Sequence, residues 1–192
     1  MKQILTFDEM FLFWLEAEIN QIEGRNLLSV AKQKGFSSIT EWRLSTALRL
    51  GLDKLSWRLV DIKNPSKTLP KIIIGPYQGW SIFFKNKLTT TFVELVKIPE
   101  ARNWLKTHDR INPIRKNFPK ASTIILLQKP NGDYIHIEGG HRICAVSYAQ
   151  TLGKPIKFGK QKSIQAAVAK ISNAELTKLK KFLKQGTNKK PR

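Results

Sequence analysis

Residues 123–153 place two β-prone runs, a turn sequence, a glycine pair and a helical pattern in immediate succession. Residues 123–127 are apolar and rich in β-branched side chains, and residues 134–138 alternate between apolar and polar side chains. The sequence Pro130-Asn131-Gly132-Asp133 between them is typical of a tight turn. The two runs are therefore predicted to pair as a β-hairpin.

A glycine pair joins the second predicted strand to a predicted helix. After Gly139 and Gly140, residues 141–152 carry apolar side chains at helical spacing and end before Gly153. The first amides of a helix have no preceding turn to bond to, the helix dipole is positive at that end, and glycine lets an anion approach the backbone. The pattern favours an anion site at the two glycines. An ordinary strand-to-helix turn has the same spacing, and this alternative stays open.

Three side chains beside the glycines have chemistry that suits a nucleotide site. Arg142 is a permanent cation that can bind a phosphate through two hydrogen bonds. His141 can donate a hydrogen bond or carry a proton near neutral pH. Glu138 can hold a sugar hydroxyl, a magnesium ion or an attacking hydroxyl. These roles make Arg142 a candidate phosphate ligand, and Glu138 and His141 candidate catalytic residues.

The rest of the chain divides at helix signals and prolines. We expect helices over residues 1–60, a bridging segment with three prolines over 61–92, an α+β domain over 93–185 and a basic tail over 186–192. The predicted fold is therefore α+β, with N-terminal helices followed by a small mixed sheet that holds the strand-Gly-Gly-His-Arg-helix turn. Four capping boxes, each Ser or Thr with Glu three residues later, mark helix starts at Thr6, Ser38, Thr91 and Ser172.

Residues 75–87 mix Trp and Phe with glycine and lysine. Aromatic faces beside ammonium groups can stack bases and hold phosphates. The preferred interpretation is a Trp and Phe cluster that packs the N-terminal helices onto the rest of the chain.

The charge of the chain favours anionic partners. It has 34 Lys and Arg against 14 Asp and Glu, a formal charge of +20 over 192 residues. Residues 151–192 hold eleven Lys and one Arg against Glu175, which gives this segment +11. Such a field attracts polyanions, so binding of DNA or RNA without catalysis is the alternative function; a solvated basic face explains the charge equally well.

Two absences in the sequence bear on where the protein works. No apolar run approaches the roughly 18 residues that would cross a bilayer, so no membrane partner is expected. The single cysteine, Cys144, leaves no disulfide framework and is expected to be a small buried thiol. A cytoplasmic protein is the resulting expectation, and its oligomeric state stays open.

The segment 124–146 resembles the ParB/sulfiredoxin-like superfamily, in which a hairpin ends in a Gly-x-His-Arg or Gly-Glu-Arg-Arg type loop that opens a helix. The layout after the loop is also similar, and it extends the resemblance over residues 93–185. In that family the loop binds the phosphates of ATP or CTP. The resemblance therefore implies a nucleoside triphosphate, with Mg²⁺, held by Gly139, Gly140, His141 and Arg142.

The chain departs from two branches of that family. Gly140 stands where sulfiredoxins have a reactive cysteine, which excludes their sulfinic-acid repair chemistry here. Chromosome-partitioning ParB proteins have a helix-turn-helix domain after the loop, whereas this chain ends in a lysine-rich helix. A partition clamp is therefore not expected.

The resemblance also makes Arg110 and Arg115 candidate ligands, because the segment before the hairpin contributes phosphate or base contacts in the family. Two solvated arginines fit the sequence equally well. Related amino-acid kinases use an upstream catalytic carboxylate, and the sequence does not choose among Glu94, Glu100 and Asp109. A metal site of the three histidines is not expected, since no usual ligand spacing is present.

We therefore expect nucleotide binding at the glycine turn, with phosphoryl transfer or nucleotide hydrolysis as the reaction that such a site would support. A non-enzymatic nucleic-acid-binding protein is the rival hypothesis. An interaction module that docks through its N-terminal helices is the third.

Overall fold

A computed structural model describes residues 3–20, 27–85, 88–158 and 163–185. Its strands are β1 (Gln3–Leu5), β2 (Trp57–Asp61), β3 (Ala121–Gln128), β4 (Tyr134–Glu138) and β5 (Ser163–Lys170). Its helices are α1 (Phe7–Asn20), α2 (Leu27–Gln33), α3 (Ile39–Arg49), α4 (Pro65–Thr68), α5 (Gln78–Ser81), α6 (Phe92–Leu95), α7 (Pro99–Thr107), α8 (Ile111–Lys116), α9 (Gly140–Thr151) and α10 (Asn173–Gln185). The predicted basic tail, residues 186–192, lies outside the described residues.

The five strands form one open mixed sheet in the order β1-β2-β5-β3-β4. The pair β3 and β5 is parallel, and the other three neighbouring pairs are antiparallel. The predicted hairpin is confirmed: β3 pairs with β4 through Leu126 and His136, and Gly132 has a φ of 90° in the turn between them. The helix α9 then carries the chain from β4 to β5, which explains how β5 can run parallel to β3. The α+β class with a small mixed sheet is confirmed.

The strand β3 is buried on both faces of the sheet, because successive side chains of a strand point in opposite directions. Ile124 and Leu126 join a core that includes residues of α6, α7 and α9. Ile125 and Leu127 join a second core that includes residues of α1, α3 and α10. The start of α9 and the lysine-rich helix α10 therefore lie on opposite faces.

The predicted capping boxes begin the predicted helices. In the box before α1, the amide of Glu9 donates to Oγ1 of Thr6 at 3.2 Å, and the amide of Thr6 donates to the Glu9 carboxylate at 2.7 Å. The same reciprocal bonds form before α6 and α10. The box before α3 differs, since the carboxylate of Glu41 accepts from Ser37 rather than from Ser38.

The structure corrects the prediction that residues 1–60 are helical, because this region also contains β1 and β2. The two strands pair with each other, and β2 pairs with β5, so the N-terminal region completes the sheet. A strand of three residues, such as β1, is too short to show a period. The bridging segment 61–92 is also packed, since Ile73 forms bridges with Ile135 and Thr91.

None of the helices in the described part of the chain is long and apolar enough to span a bilayer.

Candidate ligand site at the start of helix α9

Gly139 connects the end of β4 to the start of α9. Its φ of 92° lies in the left-handed region, which glycine adopts without steric cost. A Cβ atom at this position would stand 2.4 Å from Cγ2 of Ile124, so no larger residue fits. Gly139 is also the N-cap of α9 and makes no side-chain hydrogen bond. Gly139 itself therefore supplies no side-chain oxygen to the first amides of α9.

Gly140 makes room for two side chains of the protein. A Cβ atom at Gly140 would lie 2.7 Å from Nε2 of His136 and 3.2 Å from Cζ2 of Trp80, and both side chains are buried. The glycine pair predicts that a phosphate can approach the backbone here. The space beside its Cα is instead filled by His136 and Trp80, so an anion must reach the backbone amides from another side.

Arg142 and Glu138 form a buried ion pair across the turn. They are 5% and 8% exposed. Nη2 of Arg142 donates to the Glu138 carboxylate, and Nη1 donates to Oγ of Ser122 at 2.6 Å. The guanidinium therefore links β3, the end of β4 and the first turn of α9. The roles expected from the sequence, a phosphate ligand and a catalytic carboxylate, fall on two residues that are each other's partners.

All three histidines of the chain lie in one aromatic cluster at this turn. The ring centroid of His141 is 5.4 Å from the centroids of both Trp80 and His108. The ring of His108 is in turn 4.2 Å from that of Trp104 on α7. His141 and Trp104 are half-buried, so one edge of the cluster reaches the surface.

The position of Trp80 corrects the interpretation of the aromatic segment. Trp80 packs edge-on against Phe92 of α6 and Trp104 of α7, at centroid distances of 5.5 Å and 5.9 Å. It belongs to the core beside α9, whereas the N-terminal helix α1 belongs to the other core. The cluster therefore supports the start of α9 rather than the N-terminal helices.

His136 is a structural residue in a neutral state. Its Nδ1 accepts a hydrogen bond from the amide of Gly75 at 2.7 Å, and its backbone amide donates to Ile73 at 2.9 Å. Burial lowers the pKa of His136 to about 3. The imidazole is therefore uncharged near neutral pH, and it fixes the segment around Gly75 against β4.

The structure separates the two arginines predicted from the segment before the hairpin. Arg110 donates its backbone amide to Nδ1 of His108 at 3.1 Å, so it lies beside the ring that faces His141. Arg115 lies near the other end of α8, with its guanidinium 5.8 Å from the ring centroid of Tyr148. Tyr148 is about 10 Å along α9 from His141 at 1.5 Å per residue. The structure places Arg110 near the turn and Arg115 away from it.

Of the three carboxylates that the sequence left open as catalytic candidates, Asp109 lies beside a histidine of the turn's aromatic cluster. Its Oδ1 lies 3.3 Å from Nδ1 of His108, and its side chain is 61% exposed. The other two candidates lie elsewhere: Glu94 caps α6 with Thr91, and Glu100 is exposed in the first turn of α7. The described residues contain no group of three or more His, Cys, Asp or Glu side chains that could hold a metal ion by themselves.

Cys144 is buried, as predicted, in the core that α9 forms with α6 and α7. Burial raises the pKa of its thiol well above the ordinary value. The group therefore stays protonated, and a thiolate nucleophile at this position is not expected.

Sequence reasoning missed Ser122, which bonds to Arg142 of the turn, and Trp104, which packs on His108 and Trp80 beside the turn. Ser122 lies twenty residues before Arg142, and Trp104 precedes the hairpin, so no local spacing signals either contact. Contacts between residues so far apart in the chain become visible only in the folded structure.

Comparisons of the chain with protein-family models, with curated proteins and with solved structures found no match.

Proposed function

We propose that the turn at residues 139–142 binds the phosphate groups of a nucleoside triphosphate, ATP or CTP, together with Mg²⁺. The observation that carries the proposal is the start of α9, whose N-cap is a glycine and so has no side chain to bond the first backbone amides. The positive end of a helix attracts an anion, and its first backbone amides can donate to one.

Two side chains beside the turn supply donors for the same ligand. His141 is half-buried at the edge of the aromatic cluster and can donate to a phosphate oxygen. The backbone amide of Arg110 bonds to His108, and the proposal places its guanidinium, a planar group that matches a phosphate, on the ligand. In this proposal the buried guanidinium of Arg142, held by Glu138 and Ser122, supports the turn and does not contact the ligand itself.

Asp109 is suited to Mg²⁺. This ion usually binds substrate phosphates together with one or two carboxylates and several waters, so it does not need a cage of protein ligands. Asp109 is an exposed carboxylate beside the histidines of the turn. The donor set therefore fits a magnesium ion that arrives with the nucleotide.

The same arrangement supports phosphoryl transfer or hydrolysis as the reaction. An acceptor hydroxyl or water would attack the terminal phosphorus and lose its proton to His141, while the bond from that phosphorus to the bridging oxygen breaks. The amides of α9 and the guanidinium of Arg110 would stabilise the charge on the phosphoryl oxygens.

Calorimetric titration with Mg-ATP and Mg-CTP at moderate salt tests this proposal. Arg110→Gln is expected to weaken binding at least about tenfold, because a hydrogen bond to a charged group contributes about 1.5–3 kcal/mol. Arg115→Gln makes the same change of charge near the other end of α8, away from the turn, and it should leave the affinity within about twofold. Equal affinities for both variants, or no saturable binding by the wild type, would overturn the proposal.

The charge distribution favours a second candidate function, the binding of DNA or RNA without catalysis. The helix α10 exposes Lys178, Lys180 and Lys181 in a chain of charge +20. Each phosphate contact in such a complex lowers log K by about 0.9 per unit of log salt concentration. Fluorescence anisotropy of labelled oligonucleotides over a salt series should then show a steep loss of affinity. A flat salt dependence would exclude this function.

A further inference from the structure

A groove of about 360 Å³ lies between the end of α3 and α10, on the face of the sheet opposite the start of α9. Buried apolar residues of the second core, Leu127 and Ile171, form part of its lining. Leu48 and Phe182 line it as well, and Leu48 is 48% exposed. The groove therefore presents apolar surface that the described residues leave uncovered.

Cationic side chains surround this apolar surface. Arg49, Lys54, Lys178 and Lys181 all line the groove. The acidic residue of the lining, Glu175, accepts hydrogen bonds from the amide and hydroxyl of Ser172, as the N-terminal cap of α10. A partner that fits must combine apolar side chains with negative charges on one surface.

The outer side of α1 has this combination. Asp8, Leu12 and Glu16 are exposed at spacings of four residues, so they form one stripe along the helix, and Leu12 is 55% exposed. The opposite side, with Met10 and Trp14, is buried in the second core. In a chain of charge +20, residues 7–20 contain four acidic residues and no Lys or Arg.

We propose that the groove receives the outer stripe of α1 from a second copy of this chain. Leu12 enters the apolar part of the groove, and Asp8 and Glu16 face Lys178 and Lys181 on α10. Because α1 and α10 pack on the same face of the sheet, one two-fold contact brings both stripes to both grooves. The dimer does not depend on the proposed nucleotide site, which lies on the opposite face.

The total charge of each copy opposes association, but the charges that meet are complementary. At physiological ionic strength the Debye length is about 8 Å. Repulsion between two bodies of charge +20 is then largely screened, while attraction between side chains in contact is screened much less. The test therefore uses this ionic strength.

Sedimentation equilibrium over a range of protein concentrations tests the dimer. The wild type should reach the mass of two chains as the concentration rises. The variants Asp8→Lys/Glu16→Lys and Lys178→Glu/Lys181→Glu should each stay at the mass of one chain, because like charges then meet in both contacts. Lys170→Glu/Lys180→Glu makes the same change of charge at exposed residues that do not line the groove, and it should dimerise like the wild type.

An equimolar mixture of the two monomeric variants gives the sharpest outcome. The reversed stripe of one variant matches the reversed groove of the other, and the second contact keeps its native charges, so the mixture should regain the mass of two chains. A monomeric wild type at every concentration would overturn the proposal, as would a mixture that stays monomeric while circular dichroism shows both variants folded. A monomeric wild type whose oligonucleotide binding is lost in Lys178→Glu/Lys181→Glu would instead assign the groove to nucleic acid.

Discussion

The guanidinium of Arg142 donates to Ser122 and to Glu138 in a part of the molecule where both charged side chains are almost fully buried. We predict that Arg142→Met lowers the free energy of unfolding by about 3–5 kcal/mol, because it leaves the buried carboxylate without this cation. Urea denaturation followed by circular dichroism measures the loss. The double variant Glu138→Gln/Arg142→Met should recover part of it, and a loss below about 1 kcal/mol in the single variant would contradict the role of the pair.

His136 is expected to make stability depend on pH. Its pKa is about 3 in the folded protein, below the ordinary value of 6.5. Between these values the unfolded chain binds a proton that the folded chain does not, so the stability from neutral His136 is complete above pH 6.5 and decreases as the pH falls towards 3. The decrease amounts to about 2 kcal/mol between about pH 7 and about pH 5.

The matched variant for this prediction is His136→Gln, which removes the titrating group. Urea denaturation of both proteins at the two pH values isolates the contribution of His136. The wild type should lose more stability on acidification than the variant. An equal loss in both would show that His136 does not carry the pH dependence.

At the same scale, the sequence located the turn but not the direction of its side chains. The strand, the two glycines and the helix follow from local patterns, so residues 134–152 were predicted correctly. The bond from Arg142 to Ser122 and the packing of Trp80 against His141 join distant residues, and no spacing rule predicts such contacts. The sequence therefore does not predict that Arg142 and Glu138 turn inward and form an ion pair.

The β4–α9 junction depends on close packing at Gly140. We predict that Gly140→Ala destabilises the protein by about 1–3 kcal/mol, since its Cβ would press on His136 and Trp80 in a filled core. The control is Gly79→Ala on α5, where nothing lies within 4 Å of an added Cβ. That variant should be neutral or more stable, because alanine favours the helix. Thermal unfolding of both variants provides the comparison, and equal midpoints would contradict the packing argument.

Elements were predicted from sequence as far as their signals are local. A capping box lies within four residues, and those before α1, α6 and α10 gave the helix starts directly. The strand β1 has three residues and exists through its pairing with β2, more than fifty residues later in the chain. Such a strand has no local signal of its own, so the sequence of the N-terminal region predicts only helices.

On the scale of the whole molecule, the sheet separates two surfaces of different chemistry. One face carries the start of α9 with His141, and the other carries the basic groove beside α10. The sequence predicted the excess of positive charge and its concentration in residues 151–192, but not which surface the charges form, because that depends on which helices share a face of the sheet. Saturable nucleotide binding is therefore expected at the face with the start of α9. Non-specific attraction of anions is expected at the face with α10.

Two-dimensional ¹H–¹⁵N correlation NMR spectra recorded during titration with Mg-ATP and Mg-CTP test the phosphate site most directly, because they report on each backbone amide. The proposal predicts saturable shifts of the amides of Gly140, His141 and Arg142, with the amides of α10 little changed. Shifts confined to α10, or an absence of saturable shifts at residues 139–142, would contradict it.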